Sequence, residues 1–234
     1  ILRFDHHQKG GAGNRDNGIP YAACGLVWRE YGAFLSGSVN VAKRVEQKLI
    51  QQIDADDNGY RLIDLKYDVA PYRIQEFFYA FRLTWKEDNM CYDKGFKKLV
   101  PYAKQLLERE MVIARDSQEA MSLAREIYDN SEDKKIIISN KNLPFEELLI
   151  TYPEPVFVVK PRPDGQWGLN TIPKAFFSSE NRKNLPVNWG GCRDGDLANI
   201  TGVKDAIFCH NGLFLATAKS KQGAIELARL ALNN

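Results

Sequence analysis

The chain has 234 residues, 44% of them apolar and 26% charged, with a formal net charge of +2. That composition belongs to a globular protein with apolar material for a sizeable core, in one large domain or two small ones. It gives no bulk electrostatic case for nucleic-acid binding, so any basic surface has to be local; no apolar run reaches the roughly 18 residues of a membrane span.

Residues 1–4, Ile-Leu-Arg-Phe, read as a strand already in progress and lead straight into Asp5-His6-His7, with no signal peptide. The chain starts without Met, and a segment upstream of Ile1 is expected. The glycine-rich loop QKGGAGNRDNG (8–18) follows. A helix is expected over YAACGLVWREYG (21–32), opening at Pro20 and stopped by Gly32. A second fits SVNVAKRVEQKLIQQI (38–53), with Ser38 as its cap and Val41, Val45, Leu49 and Ile53 on one face. DADDNG (54–59) then reads as an acidic turn. YRIQEFFYAFRLTW (72–85) is expected to be helical, with its aromatics in the core. The pattern from Asp93 to Asn130 is helical, and Pro101 is expected to kink or restart it. NSEDKK (130–135) is the linker candidate.

Beyond it the texture changes. KIIIS (135–139) and PVFVVKP (155–161) read as strands, and GQWGLNTIP (165–173) pairs with the latter across the turn RPDG. DAIFCHNGLFLATA (205–218) is two apolar runs around Asn211-Gly212, a hairpin signal. SKQGAIELARLAL (220–232) is an amphipathic helix. The four cysteines, Cys24, Cys91, Cys192 and Cys209, form no C-x-x-C pair, which argues against a zinc ribbon and for reduced thiols in a cytoplasmic protein.

His6 and His7 are two of only three histidines. Neutral imidazole and carboxylate are good ligands for Mn²⁺, Fe²⁺, Co²⁺ and Zn²⁺. Neighbours on a strand point to opposite faces, but at a strand end one histidine can bind metal while the next faces substrate. Lys9 and Arg15 offer cations to an anion at the adjoining loop. On local grounds a metal role and a chance tripeptide both stay open. Asp54 and Asp57, three apart, share a face if the helix continues, although a solvated turn is the simpler local reading.

FDHHQ, GIPYAACGLVWREYG and IDADDNG, followed by GQWGLNTIPK, NWGGCRDGDLANITGV and AIFCHNGLFLATAKSKQGAIELARLAL, resemble in order and spacing the melanocyte proliferating gene family of the DHH phosphoesterase superfamily. The resemblance covers nearly the whole chain. It implies a metal-dependent hydrolase, with 3′–5′ RNA exonuclease activity in eukaryotic relatives. It also implies two divalent ions, Mn²⁺ being expected, that bridge a hydroxide for in-line attack on a nucleotide or oligonucleotide phosphodiester. Carried across, Asp5, His6 and His7 match the third motif of the superfamily. Asp54 or Asp57 matches the fourth, with Asp54 taken first. The first two motifs lie upstream of where this chain starts, so the alternative is a non-catalytic RNA- or nucleotide-binding module.

Under that resemblance Asp5, His6, Asp54 and Asp57 are the metal-ligand candidates and His7 the catalytic acid or electrostatic stabiliser. In the second half Arg193, in GGCRDG, is a candidate for bidentate phosphate binding or for an ion pair with Asp194 or a neighbour; His210 and Lys174 are further substrate-contact candidates, with a plain strand residue beside the turn and a plain surface lysine as the alternatives. Trp167 and Trp189 fit base stacking or core packing. The expected fold class is α/β: the N-terminally truncated remnant of a DHH-type parallel domain (1–92), a helical connector (93–133) and a C-terminal α+β domain (134–234) for substrate recognition. Expected partners are a phosphoester substrate, RNA among the candidates, and a second copy paired through strand edges, with no membrane.

Overall fold

The computed structural model describes residues 4–65, 67–87, 92–175 and 178–234. Most of the expected first strand and Cys91 therefore lie outside the described residues. The chain divides into two compact units, Ile1–Asp116 and Ser117–Asn234, and the boundary falls inside a single long helix. The sequence-expected connector over 93–133 is thus shared between the two.

The first unit is helical. Its elements are α1 (Ala23–Ser36), α2 (Val39–Val45), α3 (Gln51–Asp57), α4 (Ile74–Tyr79) and the first part of α5 (Tyr92–Asp129). Its described residues form no strand ladder, only an isolated bridge between Asn14 and Pro20. The expected α/β character belongs to the second unit. α1 runs past Gly32, which packs against the Trp28 ring, and stops instead at Gly37, whose left-handed φ of 72° closes the helix. Ser38 caps α2 by accepting the Val41 N–H. Trp28 donates to the Ala42 carbonyl and joins α1 to α2. Trp28, Val41, Val45, Ile50 and Ala114 form the small core beneath them.

Between α2 and α3 the helix is π-wound over Glu46–Ile50. Such a segment inserts a residue and turns everything after it by about 100°. The helix then continues through Asp57, so most of the expected acidic turn is helical and only Asn58-Gly59 ends it. The stretch 72–85 is shorter than expected, α4 covering Ile74–Tyr79 alone. α5 does not restart at Pro101; it is one helix of 38 residues.

The second unit is a five-stranded mixed sheet with helices on both faces. The strands are β1 (Ile136–Ile138), β2 (Phe157–Pro161), β3 (Trp167–Thr171), β4 (Ala206–Cys209) and β5 (Leu215–Ala218), in the order β1-β2-β3-β5-β4. β1 and β2 are parallel and all other neighbours antiparallel. The two-residue period splits β1 and β2 between two cores. Ile136, Phe157 and Val159 join Leu169, Leu197 and α8 (Lys221–Asn233) on one face. Ile137 and Val158 join Tyr128 of α5 and α6 (Glu146–Leu149) on the other. Burial on both faces explains why PVFVVKP reads as a continuous apolar run rather than alternating. The Asn211-Gly212 hairpin closes on a longer loop than the dipeptide suggests, with Leu213 carrying the left-handed φ of 59°. Among the described residues no helix is long and apolar enough to cross a membrane.

Candidate metal centre

Asp5-His6-His7 lies in a bend rather than a strand, and this changes which way its side chains point. Asp5 Oδ1 accepts the His7 backbone N–H at 3.0 Å and lies 3.2 Å from His7 Nδ1. That aspartate turn folds the tripeptide back on itself. The His6 and His7 rings, which a strand would send to opposite faces, sit with centroids 4.0 Å apart. One ligand atom from each of Asp5, His6 and His7 falls within 4.8 Å of the others, and this is the one such grouping among the described residues. The His7 N–H holds the Asp5 carboxyl below the ordinary carboxylate range, which keeps it a charged ligand.

His6 is the buried member, its side chain 8% exposed, and its Nε2 is 3.6 Å from Asp57 Oδ2. That is too long for a hydrogen bond. Its Nδ1 is buried with no partner, a polar atom that a folded protein rarely leaves unpaired. The imidazole–carboxylate donor set fits a divalent cation of the Mn²⁺ to Zn²⁺ series, and the orphaned Nδ1 marks His6 as a residue awaiting a partner.

Asp54, one turn before Asp57 on α3, goes elsewhere. It is fully buried, and both carboxylate oxygens are taken. Oδ1 accepts the Gly25 N–H at 2.9 Å and Oδ2 pairs with Arg15 at 2.6 Å. The Arg15 guanidinium also donates to Glu46 Oε1 at 2.5 Å and to the Pro20 carbonyl at 2.9 Å, and it lies over the Tyr21 ring. Burial opposes its charge, but the hydrogen bonds to Asp54 and Glu46 outweigh that and raise its pKa. Burial pushes the Glu46 carboxyl up against the pull of Arg15. Burial, with the charges of Asp54 and Glu46, also pushes the Cys24 thiol up to about 11, which disfavours a thiolate ligand beside the site.

Arg15 is therefore committed to a buried lock that ties the glycine-rich loop to α1 and α3, rather than offered to an anion. Neither Glu46 nor Gly25 stood out in the sequence. The only signal was a glycine one residue after Cys24 in a helix that has no need of one. A Cβ on Gly25 would sit 1.8 Å from Asp54 Oδ2 and 2.5 Å from Arg15. Gly25→Ala is accordingly expected to destabilise the first unit by about 1–3 kcal/mol or more, as overpacking does. A urea melt with an unchanged midpoint would show that the lock can move aside.

The second-unit candidates do not converge as the first ones do. The Arg193 guanidinium lies 4.7 Å over the Phe208 ring and its backbone pairs with Phe208. It precedes α7 (Asp194–Thr201), and its side chain stays exposed. Gly191, with φ 79°, turns the chain beside β4, where its N–H donates to the Cys209 carbonyl and the Cys192 carbonyl accepts the Cys209 N–H. His210 is exposed; its Nδ1 accepts the Gly212 N–H at 2.9 Å and its ring is 4.3 Å from Phe214. Lys174 pairs with Glu180 at 2.8 Å on the surface. Trp189 is buried in the sheet core, and Trp167 packs partly against it.

Comparison with known proteins covers both units at once. The family described as Uncharacterised protein family (UPF0160) matches residues 1–232. A MYG1 protein of Caenorhabditis elegans is 26% identical over 277 residues, spanning 98% of this chain and 78% of its own. The protein named MYG1 exonuclease in Mus musculus is 22% identical across 98% of this chain and 69% of its own. The Homo sapiens protein of the same name is 22% identical across 98% and 70%.

Proposed function

The chain belongs to the uncharacterised protein family UPF0160, and from that premise we propose that it is a metal-dependent nuclease of the DHH phosphoesterase type. It removes nucleotides from the 3′ end of an oligonucleotide, with Asp5 and His6 as the residues that hold the cation and Asp57, which faces His6, as the further candidate ligand. The observation that carries this reading is the convergence of Asp5, His6 and His7 within 4.8 Å, with Asp57 facing His6. The name exonuclease given to the mammalian relatives supplies the reaction class.

A bound divalent cation supplies Lewis-acid polarisation of the phosphoryl oxygen and activation of water. The protein's own groups do the rest. Asp5 fixes the His7 ring through Nδ1, which leaves Nε2 of this exposed imidazole free to hold a proton near the leaving oxygen. Asp54 and Arg15 hold α3 in place so that Asp57 stays opposite His6. Arg193 and His210 serve the second unit as phosphate and base contacts.

Incubation of the full-length protein with a 5′-labelled RNA of about 12 nucleotides tests this. A ladder shortening from the 3′ end, stopped by EDTA and restored by Mn²⁺, is expected. RNA binding indifferent to EDTA and without hydrolysis would instead make the chain a binding module.

A further inference from the structure

The first unit leaves an unusual amount of aromatic surface uncovered, and it is concentrated between α4 and α5. A groove of about 580 Å³ opens there, walled by Phe78 and Phe81 on one side and by Phe96, Leu99 and Val100 on the other. Phe96 is 68% exposed, and Trp85, just beyond α4, is 89% exposed. The rings are held rather than loose. Phe81 packs on Phe77 and Tyr102, and the Arg82 guanidinium lies 3.8 Å over the Tyr79 ring.

The lining of the groove itself carries charge of one sign. The groove lining holds two cations, Arg82 and Lys104, and no acidic residue. Lys97 stands two helical turns before Lys104 and extends the same flank of α5, since residues seven apart nearly eclipse. The acids near this flank are Asp93, one turn before Lys97 on α5, Glu87, which accepts the Thr84 N–H next to Trp85, and Glu108, 3.8 Å from Lys104 across an exposed pair that salt screens. A chain whose net charge is only +2 therefore carries a local basic stripe beside exposed aromatic rings.

We propose that this groove binds single-stranded nucleic acid, its bases stacking on Phe96 in the lining and on Trp85, two residues past the lining residue Leu83, and its phosphates meeting Arg82 and Lys104 of the lining and Lys97 farther along α5. Exposed rings flanked by cations are what a single strand requires, because every base has a face to stack and every linkage a charge to neutralise. A duplex buries its base faces and satisfies only the second half. An apolar protein helix fills the groove equally well but leaves the cations unanswered. The position suits the proposed nuclease: Arg73, the N-cap residue of α4, pairs with Asp56 on α3, the helix that carries Asp57. A strand in the groove thus lies on the element anchored beside the metal centre. The inference rests on the nuclease reading for its purpose but not for its test.

Fluorescence anisotropy of a labelled 12-nucleotide oligo(U), titrated with the full chain in EDTA, measures binding with hydrolysis silenced. Saturable binding is expected, weaker for a duplex of equal length. The charge reversal Arg82→Glu, Lys97→Glu, Lys104→Glu is expected to weaken it by about tenfold or more. The same variant should make the slope of log affinity against log salt shallower by about 2. Trp85→Ala and Phe96→Ala, both at exposed positions, should weaken binding with an unchanged melting temperature. Equal affinity for duplex and single strand, or affinity unmoved by these variants, would overturn the proposal. So would a dimer in solution that Phe96→Ala dissociates, since a second copy would then occupy the groove. Binding that persists in Asp5→Ala while turnover disappears separates this claim from the catalytic one.

Discussion

Asp5→Ala and His6→Ala are each expected to lower Mn²⁺-dependent turnover by at least about 100-fold, beyond what loss of a supporting partner around a metal costs. The two substitutions should differ in their effect on stability. Asp5 is exposed and, among the described residues, its hydrogen bonds stay within its own turn, so its removal should leave the melting temperature nearly unchanged. His6 is buried, so its truncation also opens a cavity and costs stability through lost packing. A fully active Asp5→Ala protein would remove the carboxylate from the centre and with it the reading of the tripeptide as a metal site.

The second large effect separates two aspartates that stand one helical turn apart. Asp54→Ala leaves the buried Arg15 charge unpaired and the Gly25 N–H without its acceptor. Breaking a buried pair in this way costs about 3–5 kcal/mol, so the variant should unfold at much lower urea. Asp57 is half exposed and faces His6 at 3.6 Å. Asp57→Ala should therefore keep the wild-type urea midpoint while weakening Mn²⁺ binding by about 10–100-fold. Calorimetric titration with Mn²⁺, run beside the melts, reads both quantities. The reverse outcome, with Asp57→Ala unstable and Asp54→Ala merely weak in metal, would exchange the two roles.

The sequence carried the second unit further than the first. Its strands announce themselves as β-branched runs bounded by turns, and its two-sided sheet follows from their unbroken apolarity. Helix ends were harder. Gly32 was expected to stop α1, yet it lies inside the helix against the Trp28 ring, and Gly37 takes the left-handed cap instead. The π-wound turn after Val45 has no local signature, yet it sets the direction of every side chain on α3.

At the site the residue types were legible and their division of labour was not. Asp5, His6, His7, Asp54 and Asp57 were all singled out as candidates. The sequence cannot show that Asp54 meets an arginine 39 positions earlier and a backbone amide 29 positions earlier. Those contacts arise from the packing of α1 on α3. At the Asp-His-His segment, expected at the end of a strand, the Asp5 carboxylate captures the His7 amide and turns the chain.

The most direct measurement of the central claim is anomalous diffraction at the manganese edge from crystals of the protein soaked in MnCl₂. A peak within coordination distance of Asp5, His6 and Asp57, with none beside Asp54, is the predicted result. A map with no peak at that cluster, or a peak held by Asp54 with Arg15 displaced, would contradict it.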